Sequence, residues 1–235
     1  CTNVSGDVMP PGYTPYKKRI ETITYNVTNL IASGQNTIGV EVAPGWFSGR
    51  MGWMHSLWKD TETPKVICQL EFTLKDGSQV TVISDESWKG TTNGPIRLSE
   101  IYDGETYDAN LEMPNWTTNQ FNDNNWQPVN AFDISGTLRL EPKRQTTVKA
   151  KMQLPTREVL KKEGTTIFDL KQNMVGVPLV KVPMKKGQTL KIRFAEMLSP
   201  DGTFYTENYR SAASTNYYTA SKDGVIEWMP KFTFH

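Results

Sequence analysis

The sequence predicts an all-β fold made of two consecutive β-sandwich domains. Short runs of alternating apolar and polar residues recur along the chain, which is the period of strands with one buried face. Turn-forming residues separate these runs at close spacing, and the 235 residues include 17 Gly and 14 Pro. No segment of the sequence shows the sustained periodicity of a long amphipathic helix. Strands at this spacing, in a chain long enough for two ordinary cores, favour two sandwiches.

The first half of the chain contains three strand-forming regions. Residues 19–27 alternate with one slip, which predicts a bulged strand, and residues 37–42 place their apolar side chains on one face. The clearest hairpin joins residues 66–74 to residues 79–83. An Asp-Gly pair lies between them and supplies the positive φ angles that tight hairpin turns need.

Residues 127–146 are the predicted linker, because Pro128, Gly136 and Pro142 interrupt any regular pattern there. The first domain is therefore assigned to residues 1–140 and the second to residues 141–235. Strands of the second domain are predicted at Thr147–Leu154, Thr165–Leu170, Val175–Val182, Thr189–Glu196, Thr215–Ala220 and Val225–Trp228.

Charge and composition exclude several classes of function. The 26 basic and 25 acidic residues nearly cancel, so no overall field attracts the chain to nucleic acid or to an anionic membrane. No apolar run reaches the length of a membrane helix. Cys1 and Cys68 are too few for a disulfide framework or a zinc site, and Cys68 is predicted to be a small core residue. Two histidines also leave little material for a histidine-based catalytic centre.

An acidic turn formed by Asp103, Glu105 and Asp108 is the first candidate site. Its carboxylates could act as a pair in glycoside hydrolysis or as oxygen ligands of calcium. The alternative, which we favour, is structural. In that interpretation the carboxylates accept backbone N–H groups or pair with an arginine at a domain interface.

Aromatic residues between Gly45 and Trp58 are the second candidate site. Trp46, Phe47, Trp53 and Trp58 follow no regular period, and aromatic faces can stack on the C–H face of a sugar ring. The favoured alternative is that they close the end of a sandwich or bury a contact between domains.

Polar residues between the predicted strands from 165 to 210 are the third candidate. Amides, carboxylates and an arginine alternate there with apolar residues, so they form either a hydrogen-bonded layer or a site, and we favour the layer. Its members include Asp169, Gln172, Asn173, Glu196, Glu207, Asn208 and Arg210.

A family resemblance rests on motifs that occur in a fixed order along the whole chain. They include Gly45-Trp46-Phe47-Ser48-Gly49, Tyr102-Asp103-Gly104-Glu105-Thr106-Tyr107-Asp108, Gln172-Asn173, Arg193-Phe194-Ala195-Glu196 and Phe232-Thr233-Phe234-His235. Together they resemble bacterial α-L-rhamnosidases of glycoside hydrolase family 78. Two positions depart from that family, which usually has glycine at Lys171 and often aspartate at Asn216.

The resemblance implies a division of labour. Residues 1–140 resemble jelly-roll sugar-binding domains, and the N-terminal strands of this domain are expected to be missing. Residues 141–235 resemble a second sandwich, which is expected to be truncated at its C-terminus. In the family, an (α/α)6 barrel carries the catalytic acids of an inverting mechanism. We expect this barrel to be absent from the chain, so no catalytic residue is assigned.

The resemblance implies an accessory role in the hydrolysis of terminal α-L-rhamnose, with the absent barrel as intramolecular partner. A carbohydrate-binding module for rhamnose-containing glycans and a purely structural pair of domains are the alternatives. The candidate substrate-binding residues are Trp46, Phe47, Asp103, Glu105 and Asp108. No metal site is assigned and no cofactor is expected, with calcium as the one ion that could assist sugar binding. The parent protein is expected to be secreted or periplasmic.

Overall fold

The computed structural model describes residues 2–50, 63–134, 136–162 and 164–235, and its regular structure is almost entirely β. Helical structure in these ranges consists of one short α-helix, α1 (Gly45–Ser48), and three single 3-10 turns at Thr28–Leu30, Ala109–Leu111 and Glu207–Tyr209. The predicted all-β class is therefore confirmed. None of the described helices is long and apolar enough to cross a membrane.

The strands of the described residues are short and pair mostly in two-stranded ladders. In chain order they are β1 (Arg19–Thr22), β2 (Gln69–Thr73), β3 (Gln79–Ile83), β4 (Lys89–Gly90), β5 (Ile96–Glu100), β6 (Gly104–Asp108), β7 (Gln127–Pro128), β8 (Arg139–Pro142), β9 (Arg157–Lys162), β10 (Thr165–Asp169), β11 (Val180–Met184), β12 (Thr189–Arg193), β13 (Met197–Leu198), β14 (Phe204–Tyr205), β15 (Thr215–Thr219) and β16 (Gly224–Trp228). The ladders are β1–β8, β2–β3, β4–β7, β9–β10, β11–β16 and β13–β14.

A four-stranded sheet with the order β12-β15-β6-β5 contains strands from both predicted domains. β5 and β6 form an antiparallel pair from the first half of the chain, and β12 and β15 form one from the second half. The two pairs meet where β6 runs parallel to β15, with Tyr107 opposite Tyr218. The sheet thus joins the two halves, while the predicted boundary near Leu140 stays a prediction.

The main core lies between this sheet and the β11–β16 ladder. Its buried members are Ala109, Met184, Tyr218, Ala220, Ile226 and Trp228. Tyr107 and Tyr218 stack with ring centroids 5.5 Å apart, and Trp228 lies 5.3 Å from Tyr218. Such aromatic pairs add about 0.5–1.5 kcal/mol beyond the area they bury. Because Tyr107 belongs to β6, the first half of the chain contributes directly to this core.

The predicted hairpin in the first half is confirmed. β2 and β3 pair antiparallel from Gln69 opposite Ile83 to Thr73 opposite Gln79. In the turn, Gly77 has φ +86° and the Asp76 carboxylate accepts the backbone N–H of Ser78 at 2.9 Å. Gly77 therefore has the predicted positive φ angle, whereas Asp76 does not and contributes to the turn through its carboxylate instead.

Two predicted strands are wrong. Residues 37–42 form no strand, and the apolar side chains of Ile38, Val40 and Val42 are 39–49% exposed, so no face of this stretch is buried. Gly39 instead packs closely on the loop that contains Trp116, since a Cβ there would lie 2.6 Å from its ring. Residues 147–154 contribute only one isolated bridge, between Lys149 and Asp7, and Met152 is 73% exposed. In both segments the apolar residues alternate, yet the segment neither pairs as a regular strand nor buries one face.

Further boundaries differ from the predictions, and the strand predicted at Val175–Val182 is observed as β11 (Val180–Met184). The strand predicted over residues 19–27 is limited to β1, which runs parallel to β8. β8 itself, with β7, lies inside residues 127–146, so the predicted linker contains paired strands. The prolines of that segment occur at the ends of these short strands, where a missing backbone donor is tolerated.

Gly104 permits the close contact between β6 and β15. It has φ +106°, a conformation that other residues adopt only with strain. A Cβ at this position would lie 2.2 Å from the carbonyl oxygen of Thr215 and 2.6 Å from Oδ1 of Asn216. No side chain fits in that space, so the parallel junction requires glycine here.

We expect Gly104→Ala to lower the free energy of unfolding by about 3 kcal/mol, because the methyl group adds both φ strain and a clash with backbone. Gly77→Ala is the matched control, since Gly77 also has positive φ but open space around its Cα. It should cost only about 1 kcal/mol. Urea unfolding of both variants measures the difference, and equal losses would contradict the role given to Gly104.

Candidate functional site

The acidic turn is shaped by Glu100, the last residue of β5. Its Oε2 accepts the backbone N–H groups of Tyr102 at 2.6 Å and of Asp103 at 3.0 Å. Its Oε1 accepts the backbone N–H of Arg50 at 2.6 Å, which holds the end of the α1 segment against the turn. Glu100 is a structural residue that the sequence analysis missed, because a carboxylate at the end of a strand has no distinctive spacing.

Asp103 connects the turn to two distant segments. Its Oδ1 accepts from the guanidinium of Arg50 and from the backbone N–H of Ala213, the latter at 3.1 Å. The same arginine donates to the carbonyl oxygen of Ser211 at 2.9 Å. The carbonyl oxygen of Asp103 accepts the backbone N–H of Thr215 at 2.9 Å. This side chain therefore has the arginine partner and backbone contacts that the structural interpretation predicts.

Glu105 is completely buried in the centre of the junction. Its Oε2 accepts the backbone N–H groups of Lys231 at 3.0 Å and of Phe232 at 3.1 Å. Burial raises the pKa of this carboxyl group, and the two N–H donors offset part of that rise. Oε1 is buried and has no hydrogen-bond partner. The carboxylate thus serves as an internal anchor for the chain near the C-terminal end.

Asp108 has a separate, local role. Its Oδ1 accepts the backbone N–H of Asn110 at 3.0 Å and the side-chain amide of the same residue at 2.7 Å, at the start of the 3-10 turn Ala109–Leu111. Asp103, Glu105 and Asp108 therefore have three different sets of partners. Their use as sugar or calcium ligands stays a prediction.

A second buried polar group, Asn216 on β15, faces Glu105. Asn216 is fully buried, and its Oδ1 accepts the backbone N–H of Glu105 at 2.8 Å. His235 Nε2 lies 3.4 Å from the same Oδ1, and His235 Nδ1 lies 3.0 Å from Ser214 Oγ. The imidazole ring stacks on Phe194 with centroids 3.9 Å apart, and burial lowers its pKa to about 4. The sequence analysis found these residues only as family motifs, since nothing in their spacing shows that they meet.

The aromatic candidates also lie at contacts between segments. Trp46 packs against Phe234 with centroids 6.1 Å apart, and Phe47 meets the edge of Tyr16 at 5.3 Å. Both rings are half-buried, which leaves part of each accessible. These contacts match the domain-contact interpretation. Trp53 and Trp58 fall outside the described residues.

The polar residues between 165 and 210 make local bonds. Asp169 accepts the backbone N–H of Lys171 at 2.7 Å and pairs with its ammonium group at 2.9 Å. Lys171 has φ +68°, which gives a physical reason why the related family prefers glycine at this position. The Tyr209 hydroxyl accepts the backbone N–H of Glu196 at 3.1 Å. These bonds are exposed and local, so they stabilise turns, and the predicted hydrogen-bonded layer stays a prediction.

Two shallow depressions on the surface of the described residues are lined by residues outside the acidic turn. One is lined by residues 183–188 in the turn after β11, and the other by residues between Pro114 and Asn122. Within the described ranges, no group of three or more His, Cys, Asp and Glu residues could hold a metal ion. Cys68 is a free thiol whose pKa is raised by burial, but it is only half-buried and lies outside the buried core, so its predicted core position is wrong.

The fold and these contacts define a pair of β-rich units joined by buried polar residues. Comparison with protein families gives two matches that together cover nearly the whole chain. A model described as the α-L-rhamnosidase N-terminal domain matches residues 2–158, and one described as the bacterial α-L-rhamnosidase concanavalin-like domain matches residues 159–235. The chain belongs to the bacterial α-L-rhamnosidase family.

Individual relatives agree with this assignment. An α-L-rhamnosidase of Formosa agariphila is 72% identical over 233 residues, which are 99% of this chain and 25% of that protein. The crystal structure of Streptomyces avermitilis α-L-rhamnosidase complexed with L-rhamnose superposes with a TM-score of 0.89 at 36% identity, covering 99% of this chain and 22% of that one. The native Aspergillus terreus enzyme gives a TM-score of 0.83 at 33% identity, with coverage of 99% and 27%.

The chain therefore spans about a quarter of the length of the curated relatives it matches. This share and the β-rich structure confirm that the chain matches the accessory β part of these proteins and that their barrel is absent from it. The two family models meet at residues 158 and 159, after β9 has begun. The predicted boundary near Leu140 is earlier, and it stays a prediction.

We expect Asp103→Ala to lower the free energy of unfolding by about 1–2 kcal/mol, because Arg50 and the backbone N–H of Ala213 lose a shared acceptor. Asp103→Asn keeps an oxygen acceptor and should lose less. Asp123→Ala is the control, since Asp123 forms only an exposed pair with Lys89 and its loss should cost about 0.5 kcal/mol or less. Chemical unfolding measures all three, and an Asp103→Ala loss as small as that of the control would contradict the bridging role.

Proposed function

We propose that the parent of this chain hydrolyses terminal α-L-rhamnose and that this β part braces the domain that performs the reaction. The observation that carries the proposal is the unequal coverage of the Formosa agariphila α-L-rhamnosidase: 72% identity extends over 99% of this chain but only 25% of that protein. Three quarters of the relative thus lie outside the matched part, with ample room for a catalytic domain.

The contacts of the acidic turn support a bracing role. Inverting glycosidases need two carboxyl groups about 6.5–9.5 Å apart, one to protonate the leaving oxygen and one to activate water. Here Glu105 is completely buried and bonded to backbone, and Asp103 is shared by Arg50 and Ala213. Neither carboxylate is available for proton transfer to a sugar in this arrangement, so the proposal gives the chemistry to the rest of the parent.

The test compares the 235-residue chain with its full-length parent on an aryl α-L-rhamnoside. We expect the parent to release the aryl group and the isolated chain to show no turnover above the uncatalysed rate. An inactive variant of the parent, purified in the same way as the chain, checks for contaminating enzyme. Turnover by the isolated chain at a rate comparable to that of the parent would overturn the proposal.

A second function, binding of rhamnose-containing carbohydrate, is favoured by the half-buried rings of Trp46 and Phe47. They lie next to each other on α1, and Arg50 ties this segment to Asp103 in the acidic turn. An aromatic face beside polar groups is the usual composition of a sugar site. The Streptomyces avermitilis relative is a complex with L-rhamnose, which makes this sugar the first ligand to test.

We expect calorimetric titration with L-rhamnose to show binding that Trp46→Ala weakens by about three- to tenfold, the loss expected for one stacking contact. Trp126→Ala is the matched control, because this ring packs with Trp116 and Phe121 elsewhere on the surface. Titration with and without a calcium chelator tests the predicted ion. Absence of heat, or equal effects of both variants, would contradict sugar binding at Trp46, and bracing would then be the one proposed function that remains.

The substrate also suggests where the parent works. Degradation of rhamnose-containing polysaccharides takes place outside the cytoplasm, so the proposal places the parent in the periplasm or the medium. Fractionation of cells that produce the full-length protein tests this, and recovery only in the cytoplasm would contradict it.

A further inference from the structure

The last six described residues, Pro230–His235, form a segment that we call the C-terminal strap. Pro230 and Thr233 are fully buried, although the segment contains no strand or helix. Irregular segments normally lie at the surface, because their backbone polar groups need partners. The burial of this one therefore depends on side chains that supply those partners.

Contacts of the strap reach both halves of the chain. From the first half, Glu105 on β6 accepts two of its backbone N–H groups, and Ser99 on β5 donates to the carbonyl oxygen of Phe232 at 3.4 Å. From the second half, the backbone of Gly176 exchanges two hydrogen bonds with that of His235, at 2.8 and 2.9 Å. The strap is thus bonded to sheet strands of the first half and to a loop of the second.

Glu105 and Asn216 contact the strap from the central sheet, and Asn216 lies between Glu105 and His235, the last residue of the strap. The Oδ1 atom of Asn216 accepts the backbone N–H of Glu105 and lies 3.4 Å from Nε2 of His235. Glu105 and Asn216 are both 0% exposed. Each also has one polar atom without a partner, Oε1 of Glu105 and Nδ2 of Asn216. A buried polar atom without a partner costs free energy, so the bonds that Glu105 and Asn216 do make must offset that cost.

We propose that Glu105, Asn216 and His235 form a buried latch that fastens the C-terminal strap across β6 and β15 and makes the two halves unfold as one unit. In this arrangement Glu105 is a positioning residue for the strap. Release of the strap would expose the buried carboxylate and the end of the central sheet at the same time, so neither half can open without the other.

The latch also contains two groups that respond to pH in opposite directions. Burial raises the pKa of Glu105, so its contribution to stability is fully present below the unfolded value near 4.5 and is lost as pH rises toward the folded value. Burial lowers the pKa of His235 to about 4, so its contribution is fully present above the unfolded value near 6.5 and is lost as pH falls toward 4.

Other charges near the latch are few in the described residues. Lys231 acts on Glu105 by lowering its pKa, and Glu41 acts by raising it. These two side chains form an ion pair at 2.5 Å, so their effects largely cancel. As pH falls below about 6.5, the contribution of His235 to stability decreases, whereas the contribution of Glu105 increases, so the two groups change the stability of the latch in opposite directions.

The first experiment measures amide hydrogen exchange at Lys231 and Phe232 in the 235-residue chain. We expect Glu105→Ala to accelerate exchange at both amides by about ten- to a hundredfold, the range for losing a bond to a buried charged group. Glu71→Gln on the exposed β2 strand is the control and should leave both amides unchanged. Unchanged exchange in Glu105→Ala would overturn the latch.

The second experiment remains informative if Glu105→Ala does not fold. Stability is measured between pH 4 and 7 for wild type and for the conservative variants Glu105→Gln and His235→Gln. Relative to wild type, Glu105→Gln should gain stability as pH rises above about 4.5, and His235→Gln should gain stability as pH falls below about 6.5. Curves parallel to wild type, or slopes of the same sign for both variants, would contradict the latch.

Discussion

The close approach of β6 to β15 is the constraint on which the rest of the structure depends. It brings a strand pair from each half of the chain into one sheet, packs Tyr107 against the main core, and positions Glu105 to accept two backbone N–H groups of the strap. Gly104 makes that approach possible, because any side chain there would occupy the space of the Thr215 carbonyl oxygen. The need for glycine at position 104 thus determines where the carboxylates of the acidic turn lie.

Much of this architecture could be predicted from local patterns. The all-β class, the Asp-Gly hairpin and most strands of the second half follow from alternation and turn residues, which act over a few positions. Strand pairing does not follow from them, which is why residues 37–42 and 147–154 were predicted as strands and β5, β6 and β9 were not. Alternation of apolar residues indicates that one face of a segment could be buried, whereas a strand also needs the edge of another strand with which to pair.

The candidate site shows the same limit. Asp103, Glu105 and Asp108 are close in sequence and were grouped for that reason, yet their partners lie at Arg50, at Lys231 and Phe232, and at Asn110. Their observed contacts are those of the structural interpretation, and their use as substrate ligands stays a prediction. Asn216 and His235 could not be linked to Glu105 from sequence, because only the parallel pairing of β6 with β15 brings them together.

The shared sheet, core and strap all predict that the two halves unfold as one cooperative unit, which is the property that the proposed bracing role requires. Differential scanning calorimetry of the 235-residue chain tests it most directly through the ratio of calorimetric to van't Hoff enthalpy. One transition with a ratio of about 1 is the result that the shared sheet predicts. Two transitions, or one broad transition with a ratio of about 2, would show that the halves unfold independently and would contradict a junction built on β6 and β15.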